Sequence, residues 1–153
     1  MQSNYQDQAK RVIRSFNKLY RKNVKIVDDR IIDNYYHFFQ DCYHLKDWLI
    51  NDKGINKEDV NLHFNVSILK ITQSIATFAK HFMIKNPNMI KNIDLIPINI
   101  QNKGIDYQML CIKYDNQLFE ALLVAINSLI AWNVFFEKNG IKERFKIDQG
   151  YIN

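Results

Sequence analysis

Residues 35–49, YYHFFQDCYHLKDWL, hold the clearest structural signal in the chain. Apolar side chains recur there at alternating steps of three and four residues: Tyr35, Phe38, Cys42, Leu45 and Leu49. This spacing places them on one stripe of an α-helix, which is the pattern of helices that pack together in bundles. Asp28 or Asp29 is suited to cap the start of this helix and Gly54 to end it. The sequence therefore predicts a helix over residues 29–52.

Three further stretches show helical spacing of apolar residues, and they predict helices over residues 4–22, 60–84 and 117–138. Residues 92–116 differ, because apolar and polar side chains alternate along them and Gly104 divides the alternation into two halves. Alternation is typical of strands, and a glycine between two strands is typical of a tight turn. This stretch therefore predicts a β-hairpin.

Together these elements predict a mainly α fold, an up-and-down four-helix bundle with a β-hairpin inserted between the third and fourth helices. We expect a single helical domain over residues 1–153, with its core in 4–140 and a loose tail at 141–153. Three large aromatic residues lie on or beside the apolar stripes and are expected in the core: Trp48, Phe78 and Trp132.

The composition is that of a soluble globular domain, with 47% hydrophobic and 24% charged residues in a chain of 153. No apolar run approaches the ~18 residues that cross a bilayer, and no apolar segment follows Met1 as it would in a secretory signal. The two cysteines, Cys42 and Cys111, are too few for a disulfide framework. We therefore expect a cytoplasmic protein without a membrane partner, in which Cys42 is a core residue.

The net charge of +5 is concentrated near the start of the chain. Residues 1–25 hold seven basic residues against Asp7 alone, and the rest of the chain is nearly neutral. Four of the basic residues recur at helical spacing away from the apolar stripe: Lys10, Arg14, Lys18 and Arg21. A positively charged surface of this kind attracts nucleic acid, because it displaces counterions from phosphates. The alternative is an ordinary solvated helix surface.

Two places in the sequence are candidates for acid–base chemistry. His44 and Asp47 are three residues apart on the second predicted helix, so the carboxylate can fix the tautomer of the imidazole and raise its basicity. Lys80 and His81 lie near the end of the third predicted helix, and His81 belongs to a polar stripe that can bind phosphate or position a scissile bond. The alternatives are a structural polar cluster for the first pair and a solvent-facing surface for the second.

A metal or cofactor site is not expected. His37, Asp41 and His44 share one side of the second predicted helix, but helical two-histidine sites usually gain a further ligand from elsewhere, and the spacing shows none. The sequence also has no glycine-rich phosphate loop, no Gly-x-Ser-x-Gly elbow and no Cys-x-x-Cys pair.

The run from Tyr36 to Trp48 resembles the second helix of a group of small bacterial proteins, and its most specific part is His44-Leu45-Lys46-Asp47-Trp48. In that group a Lys-His pair closes the third helix, as Lys80-His81 does here, and a hairpin and a helix containing a tryptophan follow. The resemblance covers about residues 30–137.

The group is similar in turn to the HEPN superfamily (higher eukaryotes and prokaryotes nucleotide-binding). HEPN domains are helical bundles, often dimeric, and many are metal-independent ribonucleases of toxin–antitoxin, CRISPR and phage-defence systems. Their active motif is an arginine followed after four to six residues by a histidine. The chain departs from this motif, because residues 74–77, ahead of His81, are Ser-Ile-Ala-Thr. The departure leaves catalysis in doubt.

The resemblance implies a HEPN-like domain that associates with nucleic acid or nucleotides, with RNA as a partner and a metal-independent ribonuclease activity for which His44, Asp47, Lys80 and His81 are the candidate residues. It also implies a homodimer and a protein partner such as an antitoxin. The main alternative is a non-catalytic bundle that dimerises or binds another protein. A small-molecule sensor with a groove between the second and third helices is a further alternative.

Helix directions decide which candidate residues can meet. Adjacent helices of an up-and-down bundle run antiparallel, so His81, near the end of its helix, is expected closer to His37 than to His44. We therefore expect His37 and His81 to approach each other within one chain, and His44 to meet His81 only across a dimer.

Overall fold

The structure, a computed structural model, describes residues 4–19, 24–82 and 93–147, and of residues 79–82 it describes the backbone only. The described elements, in chain order, are α1 Tyr5–Asn17, α2 Asp29–Lys53, α3 Lys57–Val66, α4 Leu69–Phe82, β1 Ile93–Asn102, β2 Ile105–Tyr114, β3 Gln117–Glu120 and α5 Ala121–Lys138. The predicted four-helix bundle with a hairpin between the third and fourth helices is therefore wrong. In the part of the chain that the structure describes, five helices accompany a three-stranded antiparallel sheet that lies between α4 and α5.

The third predicted helix, 60–84, is two helices because the chain breaks at Ser67. The backbone of Ser67 is extended, with φ −123° and ψ 175°, which ends α3. The hydroxyl of Ser67 then accepts a hydrogen bond from the Leu69 N–H at 3.2 Å and so caps the start of α4. The apolar spacing continues across Ser67, so the sequence pattern did not predict the break there. Serine side chains can break a helix because they compete for its backbone hydrogen-bonding groups.

The fourth predicted helix, 117–138, begins four residues later than expected because Gln117–Glu120 form β3. Asp115 and Asn116 both have positive φ, 47° and 62°, as in the type I′ turn that joins two antiparallel strands. This turn returns the chain along Cys111–Tyr114 of β2 before α5 starts.

The predicted hairpin forms through a similar turn at Lys103 and Gly104, where φ is 53° and 76°. On the other edge of β2, the Gln108 N–H donates to the Val24 carbonyl at 2.9 Å. The Gln108 Oε1 also accepts from the Val27 N–H at 2.7 Å. The residues that precede α2 are thereby fixed to the sheet.

The core is centred on Trp132 of α5, which has no solvent exposure. Its Nε1–H donates to the carbonyl oxygen of Cys42 on α2 at 3.1 Å, and its ring meets that of Phe64 on α3 edge-on at 5.5 Å. The core prediction is confirmed for Trp132 and Phe78, which are buried, whereas Trp48 is half-buried against the core. Cys42 is fully buried, also as predicted.

The predicted loose tail, 141–153, is wrong for residues 141–147, because these residues complete the core. Ile141 and Phe145 are buried. The Asn133 side chain of α5 donates to the Phe145 carbonyl at 2.9 Å and accepts from the Phe145 N–H at 2.7 Å. These two hydrogen bonds hold residues 141–147, which we call the C-terminal segment, against α5. Residues 148–153 lie outside the described part of the chain.

Within the described ranges, α5 alone is long and apolar enough to cross a membrane by length and composition. Half of that window is buried inside the protein, including Trp132. The helix therefore has the character of a core helix, which is compatible with a soluble protein.

Candidate nucleic-acid interface

The predicted basic surface lies on α1, which ends at Asn17 instead of residue 22. The helix starts at a capping box, in which the Asn4 side chain accepts from the Asp7 N–H at 2.9 Å and Asp7 Oδ2 accepts from the Asn4 N–H at 3.3 Å. One side of the helix is buried through Tyr5, Gln8, Val12 and Phe16. The opposite side is left for solvent, so the helix is strongly amphipathic.

Hydrogen bonds to α2 fix the rotation of α1. The Tyr5 N–H donates to Asp52 Oδ2 at 3.1 Å, near the end of α2, and the Ser15 hydroxyl donates to Asp41 Oδ2 in its middle. The Gln8 side chain donates to the Asp41 carbonyl at 2.8 Å. These contacts make the two helices antiparallel and keep the same side of α1 towards α2.

The remaining side of α1 carries four exposed cations, Lys10, Arg11, Arg14 and Lys18, which we call the α1 basic face. Lys10, Arg14 and Lys18 are four residues apart, so each is displaced by about 40° around the axis and together they form one band. Lys18 is the last of them because it caps the helix end. Arg21, the fourth predicted residue, lies outside the described residues.

A groove of about 540 Å³ runs between α1 and the C-terminal segment. Ala9 and Ile13 of α1 are half-buried along it, and the buried rings of Phe136 and Phe145 lie beneath them. Exposed cations stand on both sides: Lys10 on α1, and Arg144 and Lys146 on the C-terminal segment. The groove therefore joins the α1 basic face to a second set of cations and has an apolar floor.

Glu143 supplies a carboxylate to the same groove, and its partners come from α1. Its Oε2 accepts from the Tyr5 hydroxyl at 2.8 Å, and its Oε1 accepts from the Gln6 amide at 2.6 Å. Burial raises the pKa of Glu143, but the hydrogen bonds from Gln6 and Tyr5, a backbone hydrogen bond and the charge of Lys53 together lower it below its ordinary value. Glu143 is thus a charged anchor between the two walls of the groove.

The predicted catalytic pair His44 and Asp47 lies on the exposed side of α2. Their neighbours in the motif have packing roles, because Leu45 is fully buried and the Lys46 ammonium lies 5.2 Å from the centre of the Tyr43 ring. The motif therefore divides into residues that build the core and two that face solvent. His37 is also exposed on α2.

Lys80 and His81 lie in the last turn of α4, and their side chains fall outside the described part of the structure. The predicted meeting of His81 with His37 or His44 therefore stays a prediction. That prediction assumed one continuous third helix antiparallel to the second. The structure has two helices there instead, α3 and α4, and α2 packs against α4.

The described cysteines have the properties of core residues. Burial raises the pKa of the Cys42 thiol to about 12 and also raises the pKa of Cys111. Among the described residues, no group of three His, Cys, Asp or Glu side chains is placed to hold a metal ion.

Arg144 and Lys146 were not predicted as part of the interface, because both fall in the predicted loose tail. A signal was present in the alternation of Ile141, Phe145 and Ile147 with basic residues, which is typical of an extended segment with one buried side.

Comparison of the chain with protein-family models, with curated proteins and with solved structures finds no match. The resemblance to HEPN domains therefore remains a prediction from the motif.

Proposed function

We propose that the protein binds RNA through the α1 basic face. The observation that carries this proposal is the band formed by Lys10, Arg14 and Lys18, which is exposed on a helix whose opposite side is fixed in the core. Arg144 and Lys146 extend the positive charge across the neighbouring groove. Cations held on a rigid element bind phosphates well, because each contact releases condensed counterions without ordering a loop.

The proposal agrees with the setting that the motif implies. A cytoplasmic, HEPN-like domain of a toxin or phage-defence system would meet RNA as its target and an antitoxin-like protein as its partner. The α1 basic face accounts for the first of these two contacts, because RNA is a polyanion and the rest of the chain is nearly neutral.

The test is fluorescence anisotropy with a labelled single-stranded RNA and two matched double variants. Arg14→Gln with Lys18→Gln removes two cations from the α1 basic face. Lys57→Gln with Lys113→Gln removes two exposed cations from α3 and β2, so the net charge is the same in both proteins. We expect the first pair to weaken binding and to reduce the log–log salt slope by about 1.4, at ~0.7 per phosphate contact.

Equal losses from both pairs would contradict the proposal, because they would show attraction to the overall charge. The same RNA, recovered and run on a denaturing gel after incubation with EDTA, reports on cleavage. If the domain is a metal-independent ribonuclease, we expect cleavage that is lost in His44→Ala and His81→Ala and kept in His63→Gln. If the RNA stays intact with the wild-type protein, the protein has no metal-independent ribonuclease activity on this RNA, and the proposal of RNA binding stands on the anisotropy result alone.

A second candidate function, self-association, is favoured by exposed apolar residues on the neighbouring helices α3 and α5. Five large apolar residues are exposed there: Leu62, Val66, Leu123, Ile130 and Val134. The two helices are joined where the His63 side chain of α3 donates to the Ala131 carbonyl of α5 at 2.8 Å. Exposed apolar patches that span two elements are common sites of protein–protein contact.

The spacing along α5 indicates a helix as the occupant of this surface. Leu123, Asn127, Ile130 and Val134 follow one another at steps of four, three and four residues, which is the spacing of a coiled-coil face. An asparagine within such a face is typical of helices that pair with a copy of themselves, because two carboxamides can hydrogen bond to each other. A homodimer through α5 is therefore the form of self-association that we expect.

The sheet edge is a poorer surface for the same purpose. β1 lies at the edge of the described strand order. Hydrogen-bonded and non-hydrogen-bonded pairs alternate outward from the two-residue turn, and this places the backbone nitrogen of Pro97 on the outer side of β1. Because proline has no N–H, Pro97 cannot donate a hydrogen bond to an added strand. At the neighbouring outward position, the Leu95 N–H already donates to Asp94 Oδ1 at 2.9 Å. Strand pairing between two copies is thereby disfavoured.

A further inference from the structure

We infer that the groove between α1 and the C-terminal segment holds one unpaired nucleotide, so that the protein selects single-stranded RNA over duplex RNA. This inference rests on the proposed RNA binding and assigns the groove as the place where a base leaves the strand. The proposed site uses residues from both walls of the groove. One wall is the C-terminal segment, which the sequence predicted to be a loose tail and not part of a binding site.

The dimensions of the groove suit this occupant. Its volume of about 540 Å³ lies within the roughly 300–1,000 Å³ range of pockets that hold small ligands. A single nucleotide fits such a space, whereas the bases of a duplex are stacked and paired inside the helix and cannot enter it. A groove of this size beside a flat basic helix therefore distinguishes the two forms of RNA.

The chemistry of the groove also suits a nucleotide, which is apolar on the faces of its base and anionic at its phosphate. Ala9 and Ile13 present half-buried aliphatic surface, and Phe145 closes the floor. Contact with such a surface removes the faces of an unpaired base from water. By contrast, Arg14 and Lys18, which do not line the groove, present exposed charged side chains.

The cations stand where a phosphate on either side of the inserted base would lie. Lys10 is on the α1 wall, and Arg144 and Lys146 are on the opposite wall, so a strand that crosses the groove meets positive charge before and after it. Arg144 uses one guanidinium nitrogen to bond the carbonyls of Ile141 and Glu143. This anchors the side chain and leaves its other N–H groups for a phosphate.

Glu143 limits where the phosphate can sit and offers an acceptor to the base. Its two oxygens each accept one hydrogen bond from α1, from Tyr5 and from Gln6, and each has a second lone pair. A carboxylate repels a phosphate but accepts from the N–H groups on the Watson–Crick edge of a base. The base edge, and not the phosphate, is therefore expected against Glu143.

The test separates the shape of the groove from its charge. Ala9→Phe fills the groove and keeps every charge, and Asn17→Phe places the same ring on an exposed position of α1 away from it. Each protein is titrated against a labelled single-stranded RNA and against a blunt RNA duplex of the same length. We expect Ala9→Phe to weaken single-strand binding about tenfold, as the loss of one base contact does, with duplex binding unchanged.

A second set of variants tests the cations of the groove. Arg144→Gln with Lys146→Gln should weaken single-strand binding, and Lys142→Gln, an exposed lysine of the same segment that does not line the groove, should leave it unchanged. Thermal melting checks that each variant is folded. If Ala9→Phe melts early, Gln6→Trp at the exposed mouth of the groove takes its place, with Gln6→Ala as its control, because both variants lose the hydrogen bond from Gln6 to Glu143.

Two results would overturn the inference: equal affinity of the wild-type protein for single strand and duplex, or single-strand binding by Ala9→Phe as strong as that of Asn17→Phe. In either case, loss of binding in the Arg14 and Lys18 variant would preserve the proposed function. Absence of any RNA binding by the wild-type protein would contradict the proposed function itself, and with it this inference.

Discussion

The Tyr5 hydroxyl donates a hydrogen bond to Glu143 Oε2 at 2.8 Å and so joins the first turn of α1 to a residue 138 positions later in the chain. Burial raises the pKa of Tyr5 to about 12, with the neighbouring Glu143 carboxylate adding to the effect. The phenol therefore keeps its proton over the whole physiological range. This contact holds the C-terminal segment against α1 beside the groove.

Tyr5→Phe should loosen the C-terminal segment. A hydrogen bond to a charged group contributes about 1.5–3 kcal/mol, so we expect a loss near the lower end of that range, because Glu143 keeps its second bond from Gln6. Urea unfolding measures the change in free energy. Hydrogen exchange should show faster exchange of the Phe145 N–H.

Gln6→Ala is the matched control for Tyr5→Phe, because it removes the other hydrogen bond of Glu143 at an exposed position. We expect a smaller loss from it. A Tyr5→Phe protein as stable as the wild type, with unchanged exchange at Phe145, would show that the C-terminal segment is held by its apolar contacts alone.

Trp132→Ala should be the most destabilising single change in the core. The side chain is fully buried and meets the rings of Phe64 on α3 and of Phe135 and Phe136 on α5, so its truncation is expected to cost about 3–5 kcal/mol. Trp132→Phe keeps most of the volume but removes the indole donor from the Cys42 carbonyl, which keeps its helical partner within α2, at about 0.5–1.5 kcal/mol. Denaturant titration of both variants measures the two contributions, and wild-type-like unfolding of Trp132→Ala would refute the core described above.

Acidification should weaken the contact between α3 and α5. Burial lowers the pKa of His63; the Ala131 carbonyl opposes this effect and Lys138 adds to it. The unfolded chain therefore takes up the proton first, and stability falls as the pH drops from the ordinary histidine pKa of ~6.5 towards the lower folded value. We expect a smaller free energy of unfolding at pH ~5.5 than at pH ~7.5.

The readout for this pH dependence is urea unfolding of His63→Gln beside Asn65→Gln, an exposed neighbour on α3. The first variant should lose part of the dependence between the two pH values, and the second should keep it. Identical pH dependence in wild type and His63→Gln would assign the effect to other groups.

If the protein forms a homodimer through the exposed face of α5, a single charged substitution in that face should dissociate it. Ile130 is 41% exposed, so Ile130→Glu should not disturb the fold, but it would place a charge in the centre of the contact. Sedimentation equilibrium should give twice the chain mass of 18.3 kDa for the wild type and a single chain mass for the variant. Lys142→Glu is the control, and a wild-type monomer would exclude the α5 dimer.

The helical content could be predicted from sequence, and so could the hairpin, because both depend on the period of the apolar side chains. α2 agrees with its prediction to within one residue, since its apolar stripe, Asp28 cap and Gly54 end all indicate the same boundaries. The break at Ser67 and the strand at Gln117–Glu120 could not be found in this way. Both depend on single side chains or turns that override an otherwise helical pattern.

The candidate interface shows the same division. The cations of α1 could be predicted because they share a helix with an apolar stripe. Arg144 and Lys146 belong to the interface only because Tyr5 and Asn133 fix the C-terminal segment beside α1, and contacts over such sequence separations leave no local pattern.

The salt dependence of RNA binding tests the central claim most directly. The wild-type protein is titrated against a labelled single-stranded RNA at several salt concentrations between ~50 and ~200 mM, and the logarithm of the binding constant is plotted against that of the salt concentration. Four phosphate contacts from Lys10, Arg11, Arg14 and Lys18 predict a slope of about −3, and two further contacts from Arg144 and Lys146 would steepen it to about −4. A slope near zero, or no binding at ~50 mM salt, would contradict RNA binding by the α1 basic face.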